Sequence, residues 1–359
     1  MSNKIILSAV VVVIVAAGVA GAVVWNEYYR VPTNVAYVTE ENGKIDMIDL
    51  STMKVIRSVQ PLNVAPRGEG VTYDGKYLIT ADKDSSDIAV FSTPRLELVT
   101  KEHVGDNPEF IKLNPSGTRV FATFEPGSSG GPPPANGAAA DDDDDANEPP
   151  AQIASFDIGS WTAGPVSTAG QETEGMEFSP DGKYLIVCNE AQNNLGIFDA
   201  KTGAHIRDVD LKAYGMRPRD IKVSPQHTFY AVTMEASGTL AKLDLNFNVL
   251  KTVPTAAKPY GESFDPAGKR IFVAAATAQK LQVFDADSLN LIAEVPIGKR
   301  CWHFTFTPDA SKILLACGRS NDIEIVDPNS YKEVGAIEGF NLPWGIVTYP
   351  RAYGSLGLP

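Results

Sequence analysis

The chain predicts an all-β fold, a seven-bladed β-propeller of four-stranded antiparallel blades. Three observations predict it. Apolar and polar residues alternate with period two in short runs, turn sequences separate those runs, and the pattern returns every 41 to 45 residues. Four short strands in a repeated unit of roughly 40–45 residues make a propeller blade. A helical solenoid would need an apolar period of about 3.6 residues, which is absent.

The repeat is plainest in residues 172–211, "ETEGMEFSPDGKYLIVCNEAQNNLGIFDAKTGAHIRDVDL", and in residues 258–298, "KPYGESFDPAGKRIFVAAATAQKLQVFDADSLNLIAEVPIG". In the first, "GMEFS", "YLIVC", "LGIFD" and "HIRDVD" are the strands. Pro-Asp-Gly, Asn-Asn and Lys-Thr-Gly supply the turns between them. An aspartate after an apolar residue recurs at Asp157, Asp199, Asp244, Asp285 and Asp327, spaced by 42, 45, 41 and 42 residues. Asp49 continues the series, and Ser92 takes the corresponding place.

Blade openings fall at Pro66, Pro108, Thr173, Pro218, Pro259, Cys301 and Pro343, which makes seven. The last opening, "PWGIVTYP", is one strand long, and the first repeat (34–60) has three strands and lacks its opening one. Together they make one blade. The C-terminal strand is therefore expected to close the ring against the N-terminal three, leaving no open sheet edge.

The flanks differ from the propeller, residues 31–350. Residues 5–25 are almost uninterrupted apolar, with Lys4 before them and Trp25, Tyr28 and Tyr29 after them. About 20 such residues span a bilayer, and aromatics sit at its interface. Residues 1–30 are expected to be an uncleaved inner-membrane anchor, the rival being a signal peptide cleaved after Ala20–Ala22. Either places residues 31–359 in the bacterial periplasm or outside the cell, where disulfides are permitted. Residues 127–150 combine Gly, Pro, Ala and five aspartates and are expected to be a disordered insertion in blade 3. Residues 351–359 are left as a C-terminal tail. The chain of 359 residues is 43% hydrophobic, ample for a core, and its formal charge of −13 excludes a general nucleic-acid binder.

"FSPDGKYLIVCNEAQNNLGIFDAKTG", "FDPAGKRIFVAAATAQKLQVFDADS" and "GRSNDIEIVDPNSYKEVGAIEGFNLPWGIVTYP" resemble the YVTN-type propeller repeat family over residues 34–350. The last stretch is also similar to exported bacterial propellers described as cytochrome d1-domain-like or associated with quinone-dependent catabolism. The resemblance implies the propeller and specifies function poorly, because the family holds binding proteins, surface-layer proteins, lactonase-like members and a haem d1 domain. No catalytic motif of these transfers to this sequence.

Propellers bind ligands at a channel mouth, and the residue after each opening is expected to face it. These residues are Arg67, Glu109, Glu174, Arg219, Tyr260, Trp302 and Trp344. The next position is Gly in four blades, because backbones crowd near the axis. Phe110, Asp220 and His303 depart from it. Two arginines, two carboxylates and three aromatics can orient a planar, anionic ligand. His303 could ligate a metal or haem, or be a hydrogen-bonded packing residue. Cys301 and Cys317 fall opposite one another across a hairpin. A cross-strand disulfide and two buried thiols are the alternatives; buried thiols are expected, because directly paired strand positions often give poor disulfide geometry. Cys188 is expected in the core.

The sequence has no G-x-S-x-G elbow, H-E-x-x-H, C-x-x-C-H or Walker loop. His103, His205 and His227 fall on outer strands or turns, with no shared face for a metal. Three functions follow. The first is an anchored, exported scaffold that binds a ligand or an exported protein at the mouth. The second is a redox accessory holding a haem d1-like or quinone cofactor at His303. The third is a metal-dependent lactone hydrolase using Glu109, Glu172 and Glu174.

Overall fold

The computed structural model describes residues 30–61, 64–127 and 149–358. They form seven antiparallel sheets of four strands each, the expected seven-bladed propeller. Blade 1 is the mixed one. Pro343–Tyr349 pairs with Val35–Glu40, followed outward by Ile45–Asp49 and Lys54–Val59. In the closing ladder Val38 lies opposite Ile346 and Tyr37 opposite Val347. Blades 2 to 7 follow in chain order, each with its first strand innermost. Blade 3 opens on a short inner strand, Ile111–Leu113. Among the described residues no helix is long and apolar enough to cross a membrane. The expected anchor, residues 5–25, and residues 128–148 of the expected insertion lie outside the described residues.

Local chemistry explains the strand breaks. Between the first two strands of blade 4, Asp181 accepts the Ser179 hydroxyl at 2.7 Å and the Lys183 N–H at 3.2 Å, while Gly182 takes φ +68°. The recurring aspartates cap a different turn, between the third and fourth strands. Asp199 accepts the Thr202 N–H at 2.7 Å, and Asp244, Asp285 and Asp327 accept N–H groups at 2.7–2.8 Å in the same way. The repeat that marks the blades in the sequence is therefore turn chemistry rather than a binding motif.

The core lies between blades. Inner and middle strands are buried throughout, while outermost strands such as Lys54–Val59 and His205–Asp210 are largely exposed. Cys188 is buried and free, as expected. Cys301 and Cys317 correct the expectation of two thiols: they form a disulfide. A register shift between Cys301 and His303 sets Cys301 directly opposite Cys317. The irregular backbone at that bulge departs from the regular paired geometry on which two thiols were expected.

Residues 351–358 turn back into the axial channel, where Leu356 is buried in one cluster with Phe110, Tyr260, Trp302 and Trp344. Leu356→Ala is expected to lower stability by about 2–5 kcal/mol, read from urea unfolding. The disulfide spans 16 residues. The double variant Cys301→Ser/Cys317→Ser is expected to lose about 3 kcal/mol in the same measurement. A thiol count in denaturant without reductant is expected to find one cysteine of the three.

Candidate functional site

The seven residues after the blade openings do meet at one mouth, and a shared backbone device aims them. In blades 2, 4, 5, 6 and 7 the inner strand shifts register within its first four residues, at Pro66/Glu69, Thr173/Met176, Pro218/Asp220, Pro259/Glu262 and Cys301/His303. Blade 1 does the same around Trp344. Such bulges turn a side chain out of the ladder. The following glycines let neighbouring inner strands close up. A Cβ on Gly68 would strike the carbonyl of Glu109 at 2.2 Å, and one on Gly175 that of Arg219 at 2.7 Å.

Blade order arranges the mouth in two halves. Tyr260, Trp302 and Trp344 come from adjacent blades 6, 7 and 1. Arg67, Glu109, Glu174 and Arg219 come from blades 2 to 5, in the charge order plus, minus, minus, plus. All seven are only 3–8% exposed. Beneath them His303, 1% exposed, packs against Trp344 at 4.3 Å, Tyr260 at 5.4 Å and Phe110 at 5.6 Å between ring centroids. Trp302 lies over Gly318, where a side chain would displace its ring.

The charged half is a network of pairs. Arg67 bonds Glu109 and, at 3.1 Å, Glu41. Arg219 reaches Glu174 at 2.6 Å and Glu190 at 2.8 Å, and its guanidinium stacks 3.9 Å over the Tyr260 ring. Arg217 joins Glu172 at 2.9 Å to Glu190 at 2.6 Å. Five carboxylates thus face three guanidinium groups. The arginines gain most of their interaction with carboxylates already in place, so an incoming anion would have to displace them.

Glu41 and Glu190, which the residues after the blade openings do not reveal, directly follow the second strands of their blades. Glu125 and Glu235 hold the same place in blades 3 and 5. The recurrence of "VTEE", "TFE", "CNE" and "TME" is the signal that could have found them. Glu125 accepts the Asn107 amide at 2.7 Å, and Lys258 lies 3.7 Å from Glu235. In blade 2 the position is Lys83 and in blades 6 and 7 Ala276 and Gly318, so the carboxylates at this level come from blades 1, 3, 4 and 5.

Burial raises Glu174 to about 7 against the pull of Arg219, and the neighbouring Glu190 adds to the rise. Glu235 moves the same way, chiefly through burial. His303 is held well below its ordinary range by burial first, then by Arg219 and Lys222, so its imidazole is neutral. Its Nδ1 lies 3.0 Å from the Ser355 hydroxyl, and its buried Nε2 has no hydrogen-bond partner among the described residues. Deeper in the channel Lys222 pairs with Asp220 at 2.5 Å and Lys112 with Glu177 at 3.2 Å.

Among the described residues, one group of His, Cys, Asp or Glu side chains comes close enough to share a metal ion: Cys301, Cys317 and Glu324, whose two sulfurs are already bonded to one another. Glu109, Glu172 and Glu174 each sit on an arginine instead. His103 and His205 lie on outermost strands, beside Asp87 and Asp208.

These features define a seven-bladed propeller with a half-aromatic, half-charged channel mouth. The family model described as "Lactonase, 7-bladed beta-propeller" matches residues 162–262, from the end of blade 3 into blade 6. No curated protein matches the sequence. Solved structures similar to the chain include a functionally unknown protein from Desulfotomaculum acetoxidans, with TM-score 0.74 and 14% identity over 88% of this chain and 98% of that one. The periplasmic gluconolactonase PpgL of Pseudomonas aeruginosa superposes with TM-score 0.68 and 16% identity over 87% and 98% of the two chains. The dihydro-heme d1 dehydrogenase NirN gives 0.62 and 15% over 88% and 75%. At these identities the likeness is one of fold.

The raised carboxyls give a pH test. Glu174 titrates near 7 in the fold against an ordinary 4.5, and Asp82, buried in blade 2, near 7 against 3.8. Groups raised in this way stabilise fully below their unfolded values and lose that contribution as pH rises through about 7. His303 has the opposite sign: its contribution is present above its ordinary value of 6.5 and is lost as pH falls. Urea unfolding is expected to show stability declining from about pH 5 to about pH 7.5, with a shallower decline in Glu174→Gln. An unchanged slope in that variant would contradict the assignment.

Proposed function

We propose that the protein is a binding propeller that takes a flat, neutral ligand at its channel mouth and performs no chemistry on it. One observation carries this reading: three aromatic side chains occupy one half of the mouth and an ion-paired carboxylate–guanidinium arc the other. Aromatic faces take the apolar face of a ring, and the arc offers donors and acceptors to its edge. A neutral ligand fits better than the anionic one suggested by residue types alone, because Arg67 and Arg219 each already serve two carboxylates. The rim is nearly closed, so the ligand enters as rim side chains turn outward. Membership of the YVTN-type repeat family and display of residues 31–359 in the periplasm from an inner-membrane anchor belong to this reading. The Cys301–Cys317 disulfide supports an oxidising compartment.

The other two readings meet physical obstacles. NirN is described as a dihydro-heme d1 dehydrogenase in complex with DHE. Here the imidazole of His303 lies under the rim with Trp344, Tyr260 and Phe110 packed about it, which leaves no face on which a macrocycle could sit. The residues present do not fit a haem. Similar structures include two described as "putative 6-phosphogluconolactonase" and the periplasmic gluconolactonase PpgL. A divalent ion for lactone hydrolysis would have to strip Glu109, Glu172 and Glu174 from their arginines first.

Tryptophan fluorescence tests the proposal by titrating the purified protein with a water-soluble hydroquinone and with gluconolactone. Saturable quenching by at least one is expected, weakened about tenfold or more in Trp302→Ala and Trp344→Ala, a loss of about 1.4 kcal/mol. Lactone hydrolysis above the blank that disappears in Glu174→Gln would replace this function with a hydrolase.

A further inference from the structure

The chain does not end at blade closure. Residues 351–358 enter the channel and run beside the inner strand of blade 7. The Phe306 N–H donates to the Tyr353 carbonyl at 2.8 Å, and the Ser355 N–H donates to the Phe304 carbonyl at 2.9 Å. Gly354 forms a β-bridge with Thr305, and the turn is tied by the Leu358 N–H on the Ala352 carbonyl at 3.0 Å. The propeller has room for this segment. A Cβ on Gly261 would come within 2.8 Å of the Ser355 side chain, and one on Gly345 within 3.1 Å of Leu356.

The segment delivers one hydroxyl to the underside of the mouth. Ser355 Oγ lies 3.0 Å from the Phe304 N–H, 3.2 Å from the Phe304 carbonyl and 3.0 Å from His303 Nδ1. The Phe304 N–H can only donate and the Phe304 carbonyl can only accept. A hydroxyl has one proton and two lone pairs. All three contacts are satisfied together only when the hydroxyl proton goes to the carbonyl and Oγ accepts from both Phe304 N–H and His303 Nδ1–H. A neutral imidazole with its proton on Nδ1 carries a lone pair on Nε2. The opposite tautomer would leave a buried N–H donor at Nε2 with nothing to receive it.

We infer that the C-terminal segment positions the floor of the mouth: Ser355 holds His303 in the Nδ1–H tautomer, so that Nε2 presents a hydrogen-bond acceptor and selects a ligand bearing a hydroxyl or N–H donor. This rests on the mouth being the binding site, and it narrows the flat neutral ligand to one with a donor on its edge. Ser355 acts through His303 and is a positioning residue. Held in this way, Nε2 is a buried acceptor without a hydrogen-bond partner among the described residues.

The test uses full-length protein labelled with 15N-histidine, in which long-range proton–nitrogen correlation reads the tautomer. The His303 signals are identified by their loss in His303→Phe. Wild type is expected to show a neutral ring with Nδ1 protonated and Nε2 bare. Ser355→Ala is expected to shift the population toward Nε2–H, and Ser355→Thr to restore the wild-type pattern. A protonated Nε2 in wild type overturns the inference without any Ser355 variant, so a variant that fails to fold does not protect it. An unchanged tautomer in folded Ser355→Ala overturns it as well. In a separate arm, hydroquinone is expected to bind wild type at least tenfold more tightly than its dimethyl ether, and the difference to shrink in Ser355→Ala. Equal affinities overturn the ligand preference. Absence of any binding beside the expected tautomer overturns the mouth reading and leaves the role of Ser355 standing.

Discussion

Val38 opposite Ile346 and Tyr37 opposite Val347 are the pairings that make a ring out of a row of sheets. Chain segments some 300 residues apart meet there, with only hydrogen bonds and packing to hold them. Closure costs loop entropy that must be offset in one cooperative event. In return no blade offers an unpaired inner edge. Every property of the mouth follows from this pairing, because Trp344 reaches the rim only through the closing strand, and residues 351–358 reach the channel only because that strand ends at its far end from the mouth.

Crowding at the axis is the second consequence. Seven inner strands converge, and seven full side chains in one layer would not fit. Glycine fills four of the positions and Phe110, Asp220 and His303 the others, one in every second blade from 3 to 7. The same convergence buries charge. Lys112 is lowered to about 8, mainly by burial, although Glu177 beside it pulls the other way. Lys222 is raised instead: burial, its largest single influence, pulls it down, but Asp220, Glu177 and Glu262 together outweigh it. Buried pairs of this kind contribute little net stability and lose much when one partner is removed. They favour one arrangement of the channel over others, which a binding site requires.

Much of the fold was legible because a propeller writes each blade into the chain locally. Strand alternation, Asp-Gly turns and the aspartates that cap the outer turns depend on neighbours within a few residues, so they recur visibly. The missing strand of the first repeat and the single strand of the last announced the closure. The rim residues were legible through the same register, and Arg67, Glu109, Glu174, Arg219, Tyr260, Trp302 and Trp344 do converge. Their pairing was not. Glu41 lies 26 residues from Arg67, and Glu190 lies 29 from Arg219, separations that composition and period do not reveal. The residue types placed Cys301 opposite Cys317 but left no mark of the bulge at which they bond.

By itself, then, the sequence determined the number of blades, the strand order within each and the ring of side chains at the mouth, because these are set by short-range periodicity repeated seven times. The tertiary structure alone decided that the arginines are already engaged, that the two cysteines bond, and that a short C-terminal segment enters the channel to place Ser355 beneath His303. Those outcomes depend on contacts between residues far apart in the chain, whose proximity exists only once the ring has closed.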